Sequence, residues 1–117
     1  MHDYRQFYID GQWVDPVQAN DFPVENPSTE EQIGVISLGS AADVDKAVSA
    51  ARRAFQSFGF SSREERIALL ERLLKAYADR YDEMADAISQ EMGAPRDFSH
   101  AAQADCGSGH INAALEA

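Results

Sequence analysis

The sequence predicts a mostly α-helical chain in which two short β-ribbons, within about residues 7–37, precede three helices at about 41–58, 63–92 and 95–117. Three observations support this fold class. Apolar residues recur every three or four positions between Ile67 and Met92, which is the repeat of one helix face. Capping signals stand at both ends of that stretch. An Asp-Gly pair between two β-type runs near the N-terminus is typical of a hairpin.

The composition limits the function classes that fit. The 117 residues include 20 acidic and 10 basic ones, giving a net charge of −10. This charge argues against binding to nucleic acid or to an anionic membrane, which both require clustered Lys and Arg. A single cysteine makes no internal disulfide, and no apolar stretch reaches the length of a membrane span. We therefore expect a cytoplasmic protein.

The N-terminal part predicts two ribbons. The runs 7–9 and 12–14 flank Asp10-Gly11, and this pair suits the tight turn of a hairpin. In the second ribbon, an extended run at 22–26 precedes a turn at 26–29 and a strand at 32–37. The prolines at positions 23 and 27 favour extended conformations in the residues before them.

The first helix has a clear start and end. Ser40 and Asp43 have the spacing of a capping box, with aspartate in place of the preferred glutamate. Gly59 follows the last turn. One face of this helix carries the apolar residues Val44, Ala47, Val48, Ala51, Phe55 and Phe58.

The middle helix is predicted to be long. Ser62 and Glu65 form a capping-box pair at its start, and Gly93 suits the left-handed residue that ends a helix before Pro95. About thirty helical residues would make a rod of roughly 45 Å. Such a rod needs packing partners along its whole length.

The third helix is predicted from a weaker pattern. Pro95 suits a first helical turn, and one face carries Phe98, Ala102, Cys106, Gly109 and Ala113. Glycines inside a helix each cost up to about 1 kcal/mol relative to alanine. Residues 111–117 have a helix-forming composition and no capping signal follows them, so we expect that the chain is cut in the middle of a helix.

Few residues have the spacing of a chemical site. Cys106 and His110 lie four apart and would share a helix face, either as a thiolate–imidazole pair or half a metal site, or simply as packing residues. A third metal ligand at matching spacing is missing. The Gly-Ser-Gly at 107–109 has neither the spacing of a nucleophile elbow nor that of a phosphate loop. From the residues alone, no catalytic, cofactor-binding or metal-binding residue is expected.

Five blocks together carry a resemblance. They are residues 7–14 (FYIDGQWV), 26–34 (NPSTEEQIG), 43–55 (DVDKAV, AAR and AF), 61–66 (SSREER) and 91–95 (EMGAP). In this order and spacing they resemble the start of the NAD(P)-dependent aldehyde dehydrogenase superfamily. Family members commonly carry lysine where this chain has Ala94. This difference does not affect membership of the superfamily, but it leaves the subfamily open.

The resemblance implies an α/β parent fold in which residues 1–117 form an incomplete, N-terminal part of the cofactor-binding domain. The parent enzyme would oxidise an aldehyde to a carboxylic acid with NAD or NADP. Its nucleophilic cysteine, general base, oxyanion-binding asparagine and cofactor loop come later in family sequences. Cys106 lacks the Gly-Gln that precedes the family's nucleophile. We therefore expect this chain alone to be inactive and to bind no cofactor.

Two site assignments follow from the resemblance alone. The helix after the Gly-x-Pro turn walls the substrate tunnel in well-known members, which places Ala102 and Cys106 on that wall. Bulkier residues are common there, so a roomier tunnel is expected. Some members also hold a structural monovalent cation at positions that correspond to Glu91 and Glu25, with further ligands outside this chain.

The implied partners are the rest of the parent enzyme and further copies of it, without nucleic acid or membrane. Alone, the helices should expose apolar faces, and we expect self-association or partial disorder of the C-terminal helix. The alternative is a free-standing acidic helical module that binds other proteins. The length of the natural gene product separates these two hypotheses.

Overall fold

The computed structural model describes residues 1–117, which form two compact units. Unit 1 comprises Met1–Glu25 and Glu31–Ser61, and unit 2 comprises Asn26–Glu30 and Ser62–Ala117. The strands are His2–Tyr4 (β1), Phe7–Ile9 (β2), Gln12–Val14 (β3), Asp21–Asn26 (β4) and Glu31–Ser37 (β5). The helices are Ala41–Phe58 (α1), Arg63–Asp79 (α2), Tyr81–Met92 (α3), Arg96–Phe98 (α4) and Asp105–Glu116 (α5), with a π-helical turn at Ser99–Gln103.

The predicted hairpin is present in unit 1. Strands β2 and β3 pair antiparallel, with Phe7 opposite Val14. Both turn residues have positive φ, 56° at Asp10 and 78° at Gly11. This is the backbone that a two-residue turn of type I′ requires, and Asp-Gly adopts it at low cost.

The second ribbon is part of a larger sheet than the sequence predicts. Strands β4 and β5 are neighbours, and β1 adds a third strand in the order β1-β5-β4. Strand β1 pairs parallel to β5, with His2 opposite Gly34. Three residues of β1 are too few for a recognisable alternation, and their partner lies about thirty positions away. The sequence prediction therefore missed this strand.

Helix α1 begins with the predicted capping box. The Asp43 carboxylate accepts hydrogen bonds from the Ser40 amide at 2.8 Å and the Ser40 hydroxyl at 2.7 Å. Its other oxygen accepts one from the Val17 amide at 2.8 Å. Asp43 is buried. One carboxylate therefore starts the helix and also fixes the loop between β3 and β4.

The single helix predicted over 63–92 is corrected to two helices in unit 2. The capping box of Ser62 and Glu65 starts α2 and a left-handed Gly93 ends α3, as predicted. The backbone leaves the helical region at Arg80, with φ −119° and ψ 19°. Arg80 then pairs with Glu83 at 2.7 Å, and Asp82 and Glu83 lie in the first turn of α3. Acidic residues stabilise a helix start, so these residues favour a new helix there.

The continuous helix predicted over 95–117 is also corrected. One turn of α-helix (α4) leads into the π-helical turn, and α5 follows. In the π-helical turn the Ala104 amide donates to the Ser99 carbonyl, five residues earlier, at 2.8 Å. Such a turn inserts one extra residue into a helix. No residue type in this segment predicts the π-helical turn.

Small residues make up the buried apolar positions. Ala50, Ala85 and Ala104 are the buried hydrophobic residues. No helix is both long and apolar enough to cross a bilayer. Large apolar side chains of the helices and of the segment after α1 are exposed: Val44, Val48, Phe55, Phe58, Phe60, Leu69, Leu73, Met84, Met92 and Phe98.

Two sequence blocks meet in unit 2. The Ser28 hydroxyl donates to the Gly93 carbonyl at 2.9 Å. Gly93 has φ 68°, and a Cβ on it would stand 2.6 Å from the Ser28 oxygen and 2.9 Å from Pro27. Only glycine suits both this backbone conformation and this close approach. The Asn-Pro-Ser-Thr turn thus supports the end of α3.

Candidate functional site

The two residues predicted for the tunnel wall lie side by side in unit 2. Ala102 belongs to the π-helical turn and Cys106 to the first turn of α5. The Cys106 thiol donates to the Ala102 carbonyl at 3.4 Å, and both residues are exposed. They therefore form one small, accessible surface, which we call the 102–106 face.

Buried residues hold the inner side of the π-helical turn. Ser99 and Ala104 have no exposed surface. The Ser99 hydroxyl donates to the Gln103 side-chain oxygen at 3.1 Å, so its polar group is satisfied. The turn packs on α3 and α5, which fixes which side faces outward.

Two tyrosines bind the backbone on either side of Ala102. The Tyr77 hydroxyl donates to the Ala104 carbonyl at 2.6 Å, and the Tyr81 hydroxyl donates to the His100 carbonyl at 2.5 Å. Their rings meet edge to face, with centroids 6.0 Å apart. In the sequence both tyrosines lie in the apolar repeat between Ile67 and Met92, which predicts only packing for them. Their hydroxyls within an otherwise apolar stripe were the signal of a specific polar contact.

The Tyr81 hydroxyl is kept in its donor form. Partial burial raises the pKa of Tyr81, and the negative charge of the nearby Asp105 acts in the same direction. A tyrosine ordinarily ionises far above neutral pH. The Tyr81 hydroxyl therefore keeps the proton that it donates to the His100 carbonyl across the physiological range.

Gly107 allows Tyr77 to approach α5. A Cβ on Gly107 would lie 2.5 Å from the Tyr77 ring carbon that carries the hydroxyl. Gly109, two residues on, has nothing within 4 Å of the corresponding position. The sequence offered one hint, because an isolated glycine in a helix pattern often marks a close approach. It gave no means of telling the two glycines apart.

A polar rim lies beside the turn. His100 Nε2 is 3.1 Å from an Asp82 oxygen, and Arg96 is 3.7 Å from the same oxygen. Arg96 also pairs with Asp86. The His100 ring stands edge-on to Tyr81, with centroids 4.9 Å apart. Exposed pairs of this kind orient side chains and add little stability.

The Cys106 thiol bonds the backbone and is not hydrogen-bonded to His110. The thiol donates to the Ala102 carbonyl, and both side chains are exposed. No group of three or more His, Cys, Asp or Glu residues is arranged to hold a metal ion. Glu25 belongs to unit 1 and Glu91 to unit 2, so the cation site stays a prediction.

Unit 1 contains an open cleft of about 820 Å³ lined by Tyr4, Arg5, Trp13 and Asp21, among others. Arg5 pairs with Asp3 at 2.6 Å and with Asp21 at 3.2 Å. The guanidinium charge in the cleft is thus matched by two carboxylates. This arrangement does not form a site for an anionic ligand.

Comparison with known proteins identifies what the chain is similar to. The model of the aldehyde dehydrogenase family matches residues 13–117. A 3-succinoylsemialdehyde-pyridine dehydrogenase of a Pseudomonas species is 49% identical over 112 residues, covering 95% of this chain and 24% of that protein. A putative aldehyde dehydrogenase of Staphylococcus aureus is 43% identical over 117 residues, covering 100% of this chain and 25% of that protein.

Solved structures agree with these relatives. An aldehyde dehydrogenase from Bartonella henselae superposes with a TM-score of 0.94 at 48% identity, covering 96% of this chain and 24% of that one. A mutant of aldehyde dehydrogenase C from Pseudomonas syringae, in complex with NAD+ and octanal, superposes with a TM-score of 0.93 at 40% identity. The match covers 96% of this chain and 23% of that one. The chain spans about a quarter of the length of the curated relatives it matches.

Proposed function

The chain belongs to the aldehyde dehydrogenase family, and on this premise we propose that it is the N-terminal part of an enzyme that oxidises an aldehyde to a carboxylic acid. The observation that carries the proposal is the continuous match over nearly the whole chain to a semialdehyde dehydrogenase at 49% identity. The fold superposes on solved aldehyde dehydrogenases over the same length.

The acceptor we propose is a nicotinamide dinucleotide, with NAD preferred over NADP. Support comes from aldehyde dehydrogenase C of Pseudomonas syringae, whose structure contains NAD+. When bound, the cofactor would accept the hydride of the aldehyde carbon. By resemblance to the family, the groups that bind it and attack the aldehyde lie outside residues 1–117. No residue of this chain is assigned to either task.

This part of the enzyme would have a structural role, as the N-terminal part of the cofactor-binding domain. Its apolar helix faces are exposed, and we propose that the rest of the enzyme covers them within a cytoplasmic homo-oligomer. Burial of apolar surface stabilises such contacts by about 25 cal/mol per Å². Ten exposed large side chains on the helices and beside α1 offer surface for this burial.

The residues we propose to touch the substrate are Ala102 and Cys106. Both are small and exposed, and the thiol's hydrogen bond to the Ala102 carbonyl keeps them on one face. Small side chains on a tunnel wall leave room for a bulky aldehyde. We therefore propose a substrate with a bulky or long carbon skeleton. The octanal and semialdehyde named for the relatives are of this kind.

The test uses the complete protein encoded by the gene and its Ala102→Leu variant. Rates of reduced-nicotinamide formation are measured with short and long aldehydes. Extra methyl groups in an apolar pocket change discrimination by roughly tenfold or more. We expect kcat/KM to fall by about that factor for long aldehydes and to change little for short ones.

Ala101→Leu is the matched control, because Ala101 is an exposed alanine in the same turn. This variant should leave the preference unchanged. Equal effects of the two variants on all aldehydes would contradict the tunnel assignment. Absence of aldehyde oxidation with either dinucleotide would contradict the proposed activity itself.

A further inference from the structure

The π-helical turn that carries Ala102 has an unusual pattern of hydrogen bonds. In an α-helix the Ala104 amide would donate to the His100 carbonyl, four residues earlier. Here it donates to Ser99 instead, at 2.8 Å. The His100 carbonyl accepts the Tyr81 hydroxyl at 2.5 Å. A side chain of α3 thus takes the position of the backbone donor that the π-helical turn removes.

A second tyrosine acts at the other end of the turn. The Tyr77 hydroxyl donates to the Ala104 carbonyl at 2.6 Å. Ala102 lies midway between the two carbonyls that the tyrosines bind. Tyr77 is on α2 and Tyr81 begins α3, so the break at Arg80 separates the two donors. The glycine at position 107 leaves the space that Tyr77 needs to reach its carbonyl.

We propose that Tyr77 and Tyr81 are positioning residues that hold the π-helical register of Ser99–Gln103 and so set how the 102–106 face is presented to the aldehyde. This inference rests on the proposed tunnel role of that face. It assigns part of the substrate selection to two hydroxyl groups that act through the backbone of the turn.

The expected consequence of losing the hydroxyls follows from helix geometry. A π-helical turn is intrinsically less favourable than an α-helix and persists where other contacts support it. Tyr→Phe keeps the ring and its packing and removes only the donor. Without the donor, the Ala104 amide can alternate between the Ser99 and His100 carbonyls, and it is unbonded during each change. That shift by one residue would rotate Ala102 and Cys106 relative to the rest of the turn.

The experiment uses the complete enzyme and compares Tyr77→Phe, Tyr81→Phe and the double variant with the wild type. Hydrogen–deuterium exchange of the segment 99–107 reports how firmly the amides are held in the present register. We expect at least about tenfold faster exchange in the double variant, since the loss of one ordinary hydrogen bond can already produce about this change and two are removed. The ratio of kcat/KM for long and short aldehydes should shift mainly through KM, with kcat changed less than threefold.

Tyr8→Phe is the matched control. Tyr8 is an exposed tyrosine of β2 in unit 1, and its ring contacts Trp13. The variant should change neither the exchange of 99–107 nor the aldehyde preference. A general loss of stability would instead raise exchange throughout the enzyme and lower kcat for all aldehydes.

Each outcome decides the inference. Unchanged exchange in the double variant would overturn it. Faster exchange with an unchanged aldehyde preference, where Ala102→Leu does alter that preference, would overturn the positioning role and leave the tunnel assignment intact. If Ala102→Leu itself has no effect, the tunnel assignment fails. The exchange measurement alone then decides whether Tyr77 and Tyr81 stabilise the π-helical register.

Discussion

At the scale of single residues, Asp43 joins the start of α1 to the loop between β3 and β4. Its two oxygens accept three hydrogen bonds, from the Ser40 amide, the Ser40 hydroxyl and the Val17 amide. These bonds, the Ser40 hydroxyl first, hold the pKa of Asp43 below its ordinary value of 3.8. The ionised form is therefore the one that unit 1 favours.

This arrangement predicts acid sensitivity. Because the folded pKa is lowered, the stability that Asp43 contributes is present above the unfolded pKa and is lost as the pH falls through the folded pKa. We expect Asp43→Asn to lower the melting temperature at neutral pH. The difference from the wild type should shrink as the pH drops below about 4. Thermal unfolding followed by circular dichroism across this range measures it.

Asp45→Asn serves as the control, because Asp45 is an exposed aspartate on the same helix. It should cause no comparable loss of melting temperature. A difference between Asp43→Asn and the wild type that stays constant down to low pH would contradict the role assigned to the charge.

At the scale of elements, the helices of unit 2 are interrupted at two places, Arg80 and the π-helical turn. The break at Arg80 lies between two tyrosines whose hydroxyls both bind the C-terminal segment. The π-helical turn lies at the carbonyls to which those hydroxyls donate. Neither interruption contains a glycine or proline, the residues that usually cause a kink. The π-helical turn thus depends on contacts between elements, whereas the break at Arg80 coincides with the acidic first turn of α3.

The two glycines of α5 give a sharp test of this view. Gly107→Ala would place a Cβ 2.5 Å from the Tyr77 ring, and overpacking of this kind costs about 1–3 kcal/mol. Gly109→Ala meets nothing within 4 Å and should gain up to about 1 kcal/mol from helix propensity. Chemical denaturation of the two variants should therefore give shifts of opposite sign. Equal shifts would show that propensity alone governs α5.

At the scale of the whole molecule, the buried apolar residues are alanines and many large apolar residues are exposed. Phe55 is 70% and Phe60 88% exposed. Single exposed hydrophobic residues are ordinary, but many together mark an interaction surface. This pattern agrees with the proposal that the rest of an enzyme covers these faces.

The 117-residue chain by itself should consequently self-associate. We expect its apparent mass in sedimentation to increase with concentration. The double variant Phe55→Ser with Phe60→Ser should shift the distribution toward the monomer, since it removes exposed apolar area without emptying a core. Gln56→Ser, an exposed polar change on α1, should have no effect. A monomer at all concentrations for the wild-type chain would contradict the prediction.

Features that depend on near neighbours in the chain could be predicted from the sequence. The Asp10-Gly11 turn, the capping boxes of α1 and α2 and the left-handed end of α3 are all present in the structure. Each is decided within about four residues, by a positive φ or by a side chain bonding a nearby amide. The resemblance of five blocks also identified the family, because the order and spacing of the blocks can be compared without knowledge of any contact.

Of the candidate site, the sequence placed Ala102 and Cys106 on one face through their spacing of four. It missed Tyr77, Tyr81 and the special position of Gly107, because these act on residues 19 to 30 positions away in the chain. Only the tertiary structure shows the parallel strand β1 and the π-helical turn. In each case a distant partner outweighs local propensity, and a local pattern contains no information about that partner.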